Sequence, residues 1–466
     1  MSELLSRTLG HAERYLDGLD QRPVAVPVDQ AKLRARFEGT SGGKLPDEPV
    51  DPRTVIDELV EAAEPGLVAT SGPRYFGFVT GGSLPAALAA DWLTAVWDQL
   101  AGPLAASPAA AAVEAVAADW AAGLLGLPDG VSCGFVTGAM MANFTALAAA
   151  RRAVLARQGV DLDRVGLAGA PPVRIVAGAE RHVTIDIALR YLGLGTDQFV
   201  LVDVDGQGAM LPDDLAAKLA PLKGQPVIVC AQSGNVNTGA FDPLTAICGH
   251  AREAGAWTHV DGAFGLWTAA SPKLAHLVAG LDLADSWAVD AHKWLNVPYD
   301  NALVFVRDPA DHLGAMGKSA AYLAGPAAGE RENYQLVPES SRRARGFTVY
   351  AALRSLGASG LAELIERTCA HARRFAETLA GDPDVEILND VVINQVLVRF
   401  RDPAGLDDDA RTSAVIAGIQ ADGTTWAGST VWRGRTALRI SVSGWKTADA
   451  DVEAAVRAIR HAVDRL

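Results

Sequence analysis

Between Val173 and Gly262 the chain alternates short, continuously apolar runs with longer stretches of helical periodicity. The runs are VRIVAG, FVLVDV, PVIVCAQ and AWTHVDG, separated by helix-like segments over about Val183–Leu192, Pro212–Leu222 and Pro243–Ala254. A strand apolar on both faces must be covered on both faces, and the intervening helices supply the cover, so the pattern predicts a parallel sheet. Further strands are expected at Cys133–Val136 and in ALVFVRD, with a long helix from Ala142 onward. Alanine-rich helices are expected over about Leu84–Leu100 and Pro108–Leu125.

Past Arg345 the spacing changes. Helices over about Thr348–Leu356, Ala362–Ala380 and Asp449–Leu466 flank strands at Val396–Phe400 and Thr436–Ser443, which predicts a smaller α+β domain. Residues 1–70 mix polar helix-like stretches with prolines at 23, 27, 46, 49 and 52 and lack the apolar content to bury a core alone. The expected organisation is therefore an N-terminal wrapping segment (1–70), a large α/β domain (71–345) and a small C-terminal α+β domain (346–466).

Composition narrows the function classes. The 466 residues are 49% hydrophobic and 21% charged, enough for a large core. The formal charge of −14 repels phosphate backbones and anionic lipid, so neither nucleic acid nor membrane is an expected partner. Four widely spaced cysteines without a C-x-x-C pair indicate neither a disulfide framework nor a zinc site, and fit a reducing, cytoplasmic compartment; no metal is expected. The first twenty residues carry Glu3, Arg7, Glu13 and Arg14 instead of a signal-peptide apolar stretch. Glu114 and Asp119 interrupt the alanine-rich run Leu104–Leu127 and mark it as a half-buried helix.

In a parallel sheet, ligands gather beyond the C-terminal strand ends, where Thr137, His182, Asn235, Asp261 and His292–Lys293 all fall. Lys293 sits in the mostly apolar stretch SWAVDAHKWLNVPYD, where desolvation favours the neutral amine that attacks a carbonyl carbon. Asp261 ends THVDGAFG upstream. An acid able to keep a pyridinium nitrogen charged, with a lysine able to hold an aldehyde, is the pairing pyridoxal 5'-phosphate requires. Thr137-Gly138-Ala139 opens a helix and offers backbone N–H groups to a phosphate. The imidazole of His182 can stack on a ring face, small Ala263 can cover the other, and His292 can donate to the phosphate or the imine. Read singly, His182 is also a helix cap or surface residue, His292 core filling, and Lys293 a surface lysine. Tyr75 and Phe76, in PRYFGFVTGGSLPAA, suit a substrate-facing loop or a core strand. The glycine- and alanine-rich stretch Lys318–Ser341 reads as a mobile loop, in which Tyr334 can shuttle a proton or serve structurally.

HVDGAFG, DAHKW and GNVNTGAFD together make the chain resemble the group II pyridoxal-phosphate-dependent amino-acid decarboxylases, relatives of aromatic-L-amino-acid and glutamate decarboxylases, over roughly Pro73–Trp445. The resemblance implies the fold type I architecture of pyridoxal-phosphate-dependent transferases: a mostly parallel central sheet with helices on both faces plus the smaller C-terminal domain. It implies a covalent cofactor link at Lys293, ring-nitrogen pairing at Asp261, stacking at His182, and phosphate contacts at Gly138, Ala139 and His292. It further implies proton donation by a loop tyrosine, here Tyr334, and a homodimer in which two chains complete each site and the N-terminal segment packs across. The chain departs from the pattern at Asn235-Val236, where many relatives carry threonines, and at Leu104 before Ser107-Pro108-Ala109, where the aromatic-substrate enzymes carry an aromatic residue.

The expected reaction is decarboxylation of an L-amino acid to its amine and carbon dioxide. Transamination, aldol-type cleavage and oxidative deamination to an aldehyde use the same cofactor and lysine. A non-catalytic α/β binding protein or a nucleotide-dependent enzyme is the remote alternative, opposed by the lack of a G-x-x-x-x-G-K-[ST] motif.

Overall fold

A computed structural model of the chain describes all residues except 40–42, 198 and 319–331. Two compact units emerge: Met1–Thr80 with Arg373–Leu388 and Val396–Leu466, and Gly81–Ala372 with Asn389–Gln395.

The first unit opens with α1 (Ser2–Gly18), α2 (Gln30–Glu38) and α3 (Pro52–Ala63). Asp29 and Asp51 accept backbone N–H bonds at the starts of α2 and α3, satisfying donors that a helix start leaves orphaned. Backbone bonds from Val24 N–H to Gly423 O (2.7 Å) and Ala69 N–H to Val24 O (2.8 Å) tie this segment to the C-terminal part of its unit. No residue of α1 is buried, and Leu5, Leu9 and Leu16 are exposed along it.

The second unit holds, in order, α4 (Pro85–Trp97), α5 (Pro108–Leu124), β1 (Ser132–Val136), α6 (Ala139–Ala156), α7 (Leu162–Val165), β2 (Arg174–Gly178), α8 (Val183–Tyr191), β3 (Phe199–Val202), α9 (Pro212–Leu219), β4 (Val227–Gln232), α10 (Leu244–Ala254), β5 (Trp257–Asp261), β6 (Ser286–Asp290), β7 (Ala302–Val306) and α11 (Pro309–Met316). The seven-stranded sheet runs β1-β7-β6-β5-β4-β2-β3. Neighbours from β6 to β3 pair in parallel, whereas β7 is antiparallel to both β6 and β1. The exception has a simple cause: β6 reaches β7 through the short loop Ala291–Asn301, and a parallel return needs a crossover of a dozen residues or more. β1, β2, β4, β5 and β6 consequently point their C-terminal ends the same way. Every residue of β5 and β6 is buried. Alanines 142, 146, 149, 150 and 153 line the buried side of α6, and their small side chains let its backbone lie close to the sheet.

The two helices expected after Thr348 form one run, α12 (Gly346–Leu379), broken at Gly357, whose φ of 60° lies in a region that favours glycine. The first unit resumes with β8 (Val385–Ile387), β9 (Gln395–Phe400), α13 (Asp408–Asp422), β10 (Gly428–Trp432), β11 (Arg435–Ser441) and α14 (Asp449–Asp464). Its sheet order is β10-β11-β9-β8. The hairpin joining β10 to β11 turns at Arg433-Gly434, both with positive φ.

Candidate active site

At the shared C-terminal end of β1, β2, β4, β5 and β6 lies a cavity of about 230 Å³. Asp261, the last residue of β5, and Lys293, three residues past β6, both line it. Gly138 and Ala139 form the wall at the start of α6, and His182 forms another at the start of α8. Ala263 and Phe264 follow β5 into the lining, and Gly234 and Val236 follow β4.

Lys293 Nζ lies 2.9 Å from Asp290 Oδ2, and Asp290 is 2% exposed. Burial by itself lowers the lysine pKa, as the sequence led us to expect. The charge and hydrogen bond of Asp290, with Asp261 and Tyr299 adding to them, more than offset that burial, and the net direction is upward. The neutral amine anticipated for Lys293 is thus corrected: beside Asp290 it is held as the ammonium. The other oxygen of Asp290 accepts the Ala139 N–H at 2.6 Å. The backbone of Lys293 is packed as tightly as its side chain is held, since a β-carbon on Gly81 would come within 2.1 Å of Lys293 O.

Asp261 accepts the Ala263 N–H at Oδ1 (3.2 Å) and the Asn143 amide at Oδ2 (3.1 Å). His182 caps α8, with Nδ1 facing the Thr184 N–H (3.3 Å) and hydroxyl (2.8 Å). The cap reading of this histidine holds, and the capping residue also lines the cavity. His292 Nδ1 accepts the Asn301 N–H at 3.2 Å, and Nε2 lies 3.5 Å from Asp290 Oδ1. Burial pushes the His292 imidazole pKa down against the opposing charge of Asp290.

Other expected site residues lie elsewhere. The lining passes from Gly234 to Val236, while the Asn235 side chain braces its own loop, with Oδ1 accepting from Asn237 N–H and Thr238 N–H, and ties it to the β2–α8 loop through Nδ2 donating to Glu180 O. Tyr75 is buried, stacked on Trp426 with ring centroids 5.1 Å apart, and Phe76 packs edge-on against Phe375. Both are core contacts of the first unit. Leu104 is half-buried and uses its backbone N–H on Glu332. Tyr334 is 2% exposed in a short 3-10 turn, Asn333–Leu336, and its hydroxyl accepts from Gln335 Nε2. It lies outside the cavity lining among the described residues. Much of the expected mobile loop, 319–331, falls outside the described residues. Sequence reading passed over Asp290, Asn143, Thr184 and Phe264. Asp290 stood in the quoted stretch three positions before Lys293, whereas nothing local marks Asn143 as a partner of Asp261.

The family model for the pyridoxal-dependent decarboxylase conserved domain matches residues 40–401. The chain belongs to this family. Tryptophan decarboxylase 1 of Oryza sativa subsp. japonica is 28% identical over 94% of this chain and 88% of its own length. The 4-hydroxyphenylacetaldehyde synthase of Rhodiola rosea is 28% identical over 80% and 76%. The crystal structure of Oryza sativa TDC with PLP and tryptamine superposes with a TM-score of 0.92 at 24% identity, covering 100% of this chain and 97% of that one.

This pyridoxal-dependent decarboxylase is thus a carboxy-lyase that uses pyridoxal phosphate to decarboxylate an amino acid. Its cavity fits the cofactor on its own geometry. The Ala139 N–H at the start of α6 already holds an anionic group, the Asp290 carboxylate, as a helix N-terminus does. Asp261, Ala263 and Lys293 all line the cavity, so that the carboxylate could face a ring nitrogen, the small side chain would leave room beside it, and the lysine could provide the amine. Among the described residues no helix is long and apolar enough to cross a membrane.

Proposed function

We propose that this decarboxylase acts on an aromatic L-amino acid, with Lys293 as covalent anchor, Asp261 as partner of the ring nitrogen, and His182 and Ala263 on opposite ring faces. The observation that carries the reading is the meeting of Lys293, Asp261, His182 and the α6 N-terminus in one cavity. When bound, pyridoxal phosphate supplies an electron sink for the pair released as the carboxylate leaves. Asp261 keeps a negative charge where positive charge must persist. Gly138 and Ala139 offer the phosphate site, and His292 presents its Nε2 beside them. Phe264, Val236 and Met140 add apolar wall, which suits an aromatic side chain, and both curated relatives named above are called after aromatic substrates or products.

We further propose a cytoplasmic homodimer. Four buried free cysteines fit a reducing compartment, and the exposed leucines of α1 give the wrapping segment an apolar face for a second chain. We also propose residues 1–70, 71–345 and 346–466 as the functional division, which differs from the two compact units in grouping the N-terminal segment apart from the C-terminal part. Tyr334 is our candidate proton donor to Cα, acting in the dimer from outside its own chain's cavity.

The test is a screen of the twenty amino acids for carbon dioxide release, with amine and oxygen consumption measured in parallel. Tryptophan, tyrosine or a relative should give amine and carbon dioxide in equal amounts. Release from glutamate or aspartate alone would overturn the aromatic assignment, and oxygen uptake matched by aldehyde would show the oxidative outcome. Lys293→Ala should abolish the visible band of the bound cofactor; an unchanged spectrum refutes the anchor.

A further inference from the structure

Behind the cavity, a line of buried polar groups runs from the sheet interior to both Asp261 and His182. Trp257 Nε1–H donates to Ser286 Oγ at 2.9 Å, and Ser286 Oγ lies 3.0 Å from His259 Nδ1. His259 Nε2 lies 2.9 Å from Asn143 Oδ1. Asn143 Nδ2 then donates to Asp261 Oδ2 (3.1 Å) and to Thr184 Oγ1 (3.2 Å), and Thr184 Oγ1 lies 2.8 Å from His182 Nδ1.

Three groups in this line have no choice of role, and they fix the rest. The indole of Trp257 can only donate. The carboxylate of Asp261 accepts, which turns the amide nitrogen of Asn143 toward it and the amide oxygen toward His259. His259 must then donate from Nε2, and its neutral ring accepts from the Ser286 hydroxyl at Nδ1. At the far end the Thr184 backbone N–H also faces His182 Nδ1 at 3.3 Å. Because Asn143 donates to the Thr184 oxygen, the Thr184 hydroxyl proton turns to His182 Nδ1 and, at 2.8 Å against the longer backbone contact, makes that nitrogen an acceptor, so the proton of neutral His182 sits on Nε2. Trp257, His259, Asn143 and Ser286 are each at most 1% exposed, so water cannot replace a broken link.

We infer that Asn143 and His259 are positioning residues that set the polarity of the active site: they hold Asp261 as an acceptor and lock His182 in its Nε2–H tautomer. The inference rests on the proposed roles of Asp261 and His182 as cofactor-facing groups. It states what keeps those roles fixed.

The test uses holoenzyme labelled with ¹⁵N-histidine, with imidazole nitrogen shifts read at about pH 8, where an ordinary imidazole is neutral. Both His259 and His182 should report the Nε2–H tautomer; an Nδ1–H ring at either position overturns the inference. The second arm compares His259→Leu with His259→Gln, whose amide nitrogen reproduces the Nε2 donor. The leucine variant should lose about tenfold in kcat with little change in KM, the scale of one buried hydrogen bond. It should also lose the single His182 tautomer and shift the visible band of the cofactor. The glutamine variant should recover most of all three. Equal impairment of the two variants, or none in either, overturns the assignment. If the leucine variant does not fold, Asn143→Ala is read by the same His182 signal, where an unchanged tautomer counts against the inference. The tautomer signals do not depend on substrate, so they fail or succeed separately from the Lys293→Ala spectrum.

Discussion

The Lys293 ammonium is paired with Asp290 at 2.9 Å, on the same carboxylate whose other oxygen accepts the Ala139 N–H at 2.6 Å. One buried acid therefore joins the reactive amine to the start of α6. In the reading proposed above, a phosphate bound at Ala139 would compete with Asp290 for that N–H and so would couple the anion site to the ion pair of the lysine.

Replacing Asp290 by asparagine removes the charge that raises the lysine pKa while keeping the side chain's shape. With the counter-charge gone, burial dominates and the ammonium loses its proton more readily. The pH at which Lys293 reacts with pyridoxal phosphate should fall. The rise of the visible band followed across pH measures this, and a midpoint equal to that of the native chain would show that Asp290 does not control the amine.

Asp261→Ala should lower kcat by roughly 10² to 10³, the usual loss when a fixed charge opposite developing charge is removed. Single-turnover decarboxylation, with cofactor content checked by absorbance, separates this loss from loss of the cofactor. A variant that keeps full turnover would remove Asp261 from the mechanism.

Acid stability should depend on His259. Burial pushes its imidazole pKa down to about 4 from 6.5, despite the opposing charge of Asp261. The unfolded chain then takes up the proton first. The contribution is fully present above pH 6.5 and is lost as the pH falls toward about 4, amounting to about 3 kcal/mol. Asp242 works the other way. Its burial lifts the carboxyl pKa to about 6 from 3.8, so the folded state binds that proton first and its share declines as pH rises from 3.8 to about 6. Urea unfolding of the native chain and of His259→Gln at a series of pH values isolates the first effect. The glutamine variant should show the smaller loss on acidification, and parallel curves would contradict the assignment.

Glu114 and Arg342 form a two-bond pair at 2.8 and 2.7 Å, with side chains 0% and 2% exposed. Removing one partner strands the other charge in the interior, so Glu114→Ala should cost about 3 to 5 kcal/mol in urea unfolding. Replacing both residues by apolar ones of similar volume should recover much of that. A single variant as stable as the native chain would mean that water reaches Arg342.

If Tyr334 is the proton donor proposed above, Tyr334→Phe should leave the visible band intact while slowing amine formation, because that role begins only after carbon dioxide has left. Unchanged amine yield would assign Tyr334 to packing in its 3-10 turn.

The sequence by itself determined the sheet and the principal poles of the site. Continuous apolar runs such as PVIVCAQ and AWTHVDG can satisfy their two faces in few ways, and strand ends followed by Asp261, His182 and Lys293 put those residues at one edge of a parallel sheet. Tertiary structure decided which groups meet across that edge. Asp290, rather than Asp261, holds the lysine, because the ion pair needs residues close in space after the β6 turn. Asn143 reaches Asp261 from the first turns of α6, a contact that no periodicity records. The direction of Lys293's pKa was likewise out of reach: local composition shows the desolvation, but the opposing charge exists only once the chain has folded around it.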